Sequence, residues 1–165
     1  MKKILFIILF AYSPVFSQTV KISSAVFQYT PSVVAKKKVY SYCDSIKLKP
    51  EGKLENYYRL EITVKNFSQK AAEGLLLKYS LRLFLKKGDK IYKDVSYLSE
   101  DIRISRLSAG EEKKIYVYNT DLSEQIRRLK NSGFEPAFLE LEIAKEARKG
   151  DEALDLSFYS FPFSK

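Results

Sequence analysis

Apolar and polar residues alternate along most of this chain. The clearest stretch is residues 57–65, where Tyr58, Leu60, Ile62 and Val64 occupy every second position between polar neighbours. The same period of two recurs over residues 75–85, 139–143 and 154–158, and in the last stretch Leu156 and Phe158 belong to the apolar set. Because successive side chains of a strand point to opposite sides, this period predicts β-strands with one buried face and one wet face.

Weaker alternation predicts further strands over residues 20–29, 39–48, 91–98, 102–107 and 114–118, with a hairpin turn at residues 87–90. One segment departs from the pattern. Residues 121–132 place Leu122, Ile126 and Leu129 at helical spacing, after Thr120 or Asp121 as a helix cap and before Gly133 as a stop. The segment therefore predicts one short helix.

The pattern predicts about nine strands and one helix, which lies near residues 121–132. Strands and helices do not alternate along the chain, as they would in a parallel sheet. The pattern therefore predicts an all-β fold, an antiparallel two-sheet β-sandwich. No stretch resembles a linker between domains, so residues 18–165 are expected to form one domain.

Two short motifs carry a family resemblance. The strand at residues 60–66 ends in Asn66 with Ser68 two positions later, and a loop with the sequence Leu-Ser-Ala-Gly-Glu at residues 107–111 opens a later strand. Residues 57–118 resemble bacterial immunoglobulin-like sandwiches of the cell-adhesion-related (CARDB-like) kind, although Ala109 stands where proline is usual and the predicted helix is inserted. The resemblance implies an immunoglobulin-like sandwich with an accessory, binding or spacer role and without catalytic residues.

The first 17 residues have the pattern of a secretory signal. Lys2 and Lys3 precede an apolar run at residues 4–10, and Ser17 stands at a suitable cleavage position. The run is shorter than the ~20 apolar residues that span a bilayer, which argues against a membrane anchor. We therefore expect an exported protein, periplasmic or extracellular after cleavage near Ser17, without a membrane span.

Composition removes several classes of chemistry. The chain has no His and one Cys, so it offers neither a Ser-His or Cys-His nucleophile nor an imidazole zinc site. Glu140 and Glu142 share one side of a predicted strand, but alternating glutamates on a wet face are ordinary surface residues. We predict no catalytic, cofactor-binding or metal-ligating residues and no cofactor. We expect Cys43 to be buried, with an intermolecular disulfide as the alternative.

Charge is unevenly distributed along the sequence. Residues 20–95 carry 16 basic and 7 acidic side chains, a net charge of +9, whereas residues 96–165 carry 11 and 13, a net charge of −2. This asymmetry suggests a basic face. The consecutive Lys36, Lys37 and Lys38 form a candidate anion-binding loop, with a solvated loop as the alternative. For an exported chain, a protein or an anionic envelope polymer is a better partner than nucleic acid.

Aromatic residues supply the second candidate site. Twelve Tyr and eleven Phe are present, and Tyr92, Tyr116 and Tyr118 fall opposite the aliphatic side of their strands. These tyrosines either lie under a further layer of structure or form an exposed aromatic patch. The sequence thus predicts an exported, non-enzymatic binding module. The alternative is a small carbohydrate-binding or carbohydrate-active protein that uses surface Tyr and carboxylates. The sequence predicts no oligomeric state.

Overall fold

A computed structural model describes residues 20–32, 34, 38–51, 53–118, 122–146 and 155–164, apart from the side chains of residues 93–97 and 155. The predicted signal sequence, residues 1–17, lies outside these described residues. In chain order the described elements are β1 (Val20–Thr30), β2 (Ser41–Cys43), β3 (Ile46–Lys47), β4 (Tyr57–Asn66), β5 (Ala72–Lys87), β6 (Lys90–Leu107), β7 (Glu112–Tyr118), α1 (Leu122–Asn131), β8 (Glu135–Lys145) and β9 (Asp155–Ser164).

The strands form two sheets. One has four strands in the order β2-β1-β4-β7, and the other has five in the order β3-β9-β8-β5-β6. Neighbouring strands are antiparallel except β3 and β9, which pair in parallel. The prediction of an all-β two-sheet sandwich with one short helix is confirmed.

The core lies between the two sheets and follows the alternation of the sequence. On β4 the inward residues Tyr58, Leu60, Ile62 and Val64 are buried, as are the alternating apolar residues of β5 and β8. Phe27 of the four-stranded sheet meets Phe161 of the five-stranded sheet edge to face, with ring centroids 4.5 Å apart. Such pairs add to the stability that area burial alone provides.

Two strand predictions differ from the structure. Residues 39–48 do not form one strand, because the chain turns at Asp44 and Ser45 and leaves β2 in one sheet and β3 in the other. Conversely, residues 91–98 and 102–107 belong to the single strand β6. Glu100 and Asp101 continue this strand since β5 supplies partners: the Tyr79 hydroxyl donates to Glu100 at 2.7 Å, and Lys78 stands opposite Asp101.

The side-chain orientation predicted for β9 was wrong. Leu156 and Phe158 are exposed, and Leu154 lies outside the described residues. The register of β9 with β8 sets Tyr159 opposite Leu141 and Phe161 opposite Leu139, so the odd-numbered residues face the core. A shift of one residue exchanges the two faces of a strand. The rings of Tyr159, Phe161 and Phe163 therefore pack against the core, in place of the predicted Leu156 and Phe158.

Helix α1 confirms the predicted helical segment. Leu122 and Ile126 are buried, and the chain leaves the helix at Gly133 with φ of +78°, a conformation that glycine adopts readily. The two candidate cap residues, Thr120 and Asp121, lie outside the described residues. In the described part of the chain, no helix has the length and apolar character needed to span a bilayer.

The two motifs that carried the family resemblance meet at one corner of the sandwich. Buried Asn66 donates through Nδ2 to the carbonyls of Lys70, Leu107 and Ser108, at 2.8, 3.1 and 3.0 Å. Its Oδ1 accepts from the backbone N–H of Ser68, and its own N–H donates to the carbonyl of Glu111. The motifs thus have a structural role in joining β4, β6 and the loop before β7.

The five-stranded sheet sets a strand from the basic part of the sequence beside one from the acidic part. Three ion pairs join β5 to β8 or the residue after it: Lys78 with Glu146, Arg82 with Glu142 and Lys86 with Glu135. Pairing of opposite charges across strands therefore neutralises part of the positive charge of the basic part of the sequence. These ion pairs reduce the net positive charge of the basic face that the sequence predicts.

Cys43 is half-buried and not fully buried as expected. Burial, followed by the negative charge of Asp44, raises the pKa of its thiol to about 11. The thiolate is the reactive form, so the side chain is a weak nucleophile near neutral pH.

Candidate functional site

Five tyrosines gather on the outer side of the four-stranded sheet, and we call this surface the tyrosine face. Its members are Tyr40, Tyr42, Tyr57, Tyr116 and Tyr118. Four of them are between 40% and 62% exposed, and Tyr40 is half-buried. Strand pairing places them together, since Tyr42 stands opposite Gln28, Gln28 opposite Arg59, and Arg59 opposite Tyr118. The patch predicted at Tyr116 and Tyr118 is thus exposed.

A buried carboxylate lies at the centre of the tyrosine face. Glu61 is only 3% exposed, although its position on β4 belongs to the side that alternation predicts to be wet. It accepts hydrogen bonds from Gln28 and Lys114, each at 2.9 Å, from the Tyr42 hydroxyl at 3.3 Å, and from Tyr116. One side chain therefore connects all four strands of the sheet.

The pKa of Glu61 lies below its ordinary value. Burial by itself raises the pKa, but the hydrogen bond and positive charge of Lys114, with the hydrogen bonds from Tyr116 and Tyr42, outweigh it. The carboxylate is consequently ionised near neutral pH. Its oxygens also accept hydrogen bonds from four side chains, an arrangement that fits a structural ion better than a general acid or base.

Arg59 joins this network to the aromatic rings. Its Nε donates to Oε1 of Gln28 at 2.7 Å, and its guanidinium lies 3.6 Å from the ring centroid of Tyr40 and 4.1 Å from that of Tyr116. A guanidinium over an aromatic ring is attracted by the negative face of the ring. These contacts hold Tyr40 and Tyr116 in place.

Tyr92 does not belong to the tyrosine face. It lies in the other sheet, near the β5–β6 hairpin, where its ring meets that of Phe134 edge to face at 5.7 Å. Lys87 lies above the same Phe134 ring, at 5.1 Å. The sequence predicted one patch because all three tyrosines alternate with aliphatic neighbours. This alternation does not indicate to which of the two sheets a strand belongs.

The other candidate residues are not brought into a described site. Lys36 and Lys37 lie outside the described residues, and Lys38 is exposed. Glu142 pairs with Arg82 at 2.6 Å on the outer side of the five-stranded sheet, where Glu140 also stands opposite Arg82. Within the described part of the chain, no three Cys, Asp or Glu side chains are grouped so that they could hold a metal ion.

A cleft of about 720 Å³ opens beside the tyrosine face, and we call it the end cleft. Four tyrosines line it: Tyr40, Tyr57, Tyr58 and Tyr118. Charged residues from two separate segments, residues 49–55 and helix α1, complete the lining, namely Lys49, Lys53, Glu55, Glu124 and Arg127. Sequence reasoning missed this cleft because its charged residues share no spacing. A second cavity, of about 560 Å³, lies between α1 and the sandwich.

Two β-glucosidases of known structure are weakly similar to this chain. No family model matches the chain, and no curated protein is similar to it. A β-glucosidase from Listeria innocua, solved with gluconolactone, is 16% identical with a TM-score of 0.40, and 86% of this chain is covered. A β-glucosidase involved in saponin metabolism from intestinal bacteria is 14% identical with a TM-score of 0.38 over 87% of this chain. The chain spans 16% of each of these enzymes, and similarity at this level carries no argument about activity.

Proposed function

We propose that the protein is an exported, non-enzymatic β-sandwich module that binds an envelope or extracellular protein through the tyrosine face. The observation that carries this proposal is the set of exposed tyrosines held around the buried Glu61. Tyrosine and arginine are enriched at protein interfaces and among the residues that dominate binding energy.

Three of the five tyrosines are held in position before any partner binds. Tyr42 and Tyr116 hydrogen-bond to Glu61, and Tyr40 and Tyr116 enclose the Arg59 guanidinium. Binding orders flexible side chains at a free-energy cost, and rings that are already fixed avoid much of it. This arrangement supports a rigid contact surface for a folded partner.

A photo-crosslinking experiment tests the proposal. A photoreactive amino acid replaces Tyr118 in the chain from residue 18 onward, or replaces the exposed Ser99 of the other sheet as a matched control. After mixing with envelope extract, we expect one discrete protein adduct from position 118 and none from position 99. Unlabelled wild-type protein should compete for that adduct, whereas the double variant Tyr42→Ala/Tyr116→Ala should compete at least about tenfold less well.

Two results would contradict this proposal. Equal adducts at both positions would mean that the tyrosine face is not a specific contact surface. Retention on an immobilised anionic polysaccharide that depends on Tyr42 and Tyr116, without a protein adduct, would favour the polymer as the partner of this face. Circular dichroism of each variant shows whether the sandwich is intact.

A further inference from the structure

The end cleft carries three cations that have no acidic partner among the described residues. Lys49, Lys53 and Arg127 line the cleft, and no described residue forms an ion pair with any of them. Of the two glutamates among the described lining residues, Glu124 is already paired with Arg128 at 2.5 Å, which leaves Glu55 as the one other acid described there. The cleft therefore has an excess of positive charge available to an anionic ligand.

Aromatic rings form the other part of the cleft. Tyr57 and Tyr118 are about half exposed, so their rings are open to a ligand. Tyr58 is buried, and its hydroxyl accepts a hydrogen bond from the backbone N–H of Lys47 at 2.8 Å, which fixes its position. The volume of about 720 Å³ lies within the usual range for small-molecule sites.

The combination of cations and exposed aromatic rings restricts the class of ligand that fits the cleft. Lysine and arginine donate charge-assisted hydrogen bonds to carboxylates. The negative faces of tyrosine rings attract the polarised C–H groups that line one side of a sugar ring. A simple inorganic anion would use the cations alone, and a neutral sugar would use the rings alone.

We propose that the end cleft binds an acidic saccharide, a sugar carrying a carboxylate such as a hexuronic acid. The proposal goes beyond protein binding by the tyrosine face and does not depend on it. Only Tyr40, Tyr57 and Tyr118 belong to both surfaces, whereas the three cations belong to the cleft alone.

Calorimetric titration of the chain from residue 18 onward tests the ligand class. The probes are a disaccharide containing glucuronic acid, cellobiose as a neutral sugar of the same size, and inorganic phosphate. We expect the acidic disaccharide to bind at least about tenfold more tightly than either of the others. Its affinity should fall as salt is raised, because salt screens the attraction between charges. Equal binding of cellobiose or of phosphate would overturn the proposal.

Matched charge variants locate the site. Replacing Lys49, Lys53 and Arg127 together by Gln should lower the affinity for the acidic disaccharide at least about tenfold. Replacing three exposed lysines elsewhere, Lys21, Lys70 and Lys90, removes the same charge and should change the affinity less than about twofold. Equal losses in the two variants would mean diffuse attraction by a basic protein and would contradict a site in the cleft.

Single substitutions separate the rings of the cleft from those of the tyrosine face. Tyr57→Ala should weaken disaccharide binding, and Tyr57→Phe should preserve it, because the ring and not the hydroxyl makes the contact. Tyr42 lies outside the cleft, so Tyr42→Ala should leave sugar binding unchanged while it impairs protein binding. Loss of sugar binding in this variant with an intact fold would overturn the assignment to the cleft.

Discussion

The carboxylate of Glu61 receives hydrogen bonds from β1, β2 and β7 while itself belonging to β4. Alternation along β4 predicts that this residue faces water, and the sequence contains no local signal for its burial. The burial depends on Gln28, Tyr42 and Lys114, which lie on three other strands. A buried charge is tolerated only where such partners are present. The burial of Glu61 could therefore be recognised only once the strands were assembled into a sheet.

Glu61→Gln tests this network. The substitution keeps the shape of the side chain but removes its charge, and we expect a loss of about 2 kcal/mol in the free energy of unfolding at pH 7. The pKa of Glu61 is lowered in the folded state, so its contribution is fully present above the unfolded pKa of ~4.3 and is lost as the pH falls through the folded value. Urea unfolding at several pH values should therefore show a difference between variant and wild type that narrows only in acid. A constant difference would contradict the assignment.

Asn66 is the second residue whose role is set by its contacts. Asn66→Ala removes the donor to three carbonyls and the acceptor for Ser68, and leaves buried polar groups unpaired. We expect a loss of about 3 kcal/mol in the free energy of unfolding, measured by tyrosine fluorescence in urea. Gln69→Ala, at an exposed neighbouring position, should stay within about 0.5 kcal/mol. Similar effects of the two changes would contradict the role of Asn66.

At the level of elements, alternation gave the correct strands wherever one set of positions was clearly apolar. Strands β4, β5 and β8 satisfy this condition. In β9 both sets are apolar, since Leu156 and Phe158 compete with Tyr159, Phe161 and Phe163, and only pairing with β8 decides between them. Likewise, the five tyrosines come from segments far apart in sequence, so the tyrosine face depends on the order of strands, which alternation cannot provide.

A pair of phenylalanine variants checks the orientation of β9. Phe161→Ala removes a buried ring that packs against Phe27, and should lower the free energy of unfolding by about 3 kcal/mol. Phe158→Ala removes an exposed ring from the same strand and should change it by less than about 0.5 kcal/mol. Denaturant unfolding followed by circular dichroism compares the two. A larger effect at Phe158 would mean that the opposite face of β9 is buried.

At the scale of the whole molecule, ion pairs across strands join the basic and acidic parts of the sequence. The pairs of Lys78 with Glu146 and of Lys86 with Glu135 are about half exposed, and such surface pairs contribute little to stability. Their larger effect is on electrostatics, because each pair cancels a basic charge of β5 against an acidic charge of β8 or the residue after it. The cations of the end cleft, which have no acidic partner among the described residues, therefore contribute more to any directed attraction of an anion than the net charge alone suggests.

The parallel pairing of β3 with β9 has a consequence for the order in which the molecule can assemble. The hydroxyls of Ser45 and Ser164 lie 2.9 Å apart although 119 residues separate them, and the N–H of Leu48 donates to the carbonyl of Ser164. Strand β9 also lies inside its sheet, between β3 and β8. During synthesis, a nascent chain that has not yet released residues 155–164 leaves β8 as an open edge and β3 without a partner. Chains halted before residue 155 should be digested rapidly by protease, and resistance should arise only once β9 has emerged, because β3 and β8 lack their shared neighbour until then.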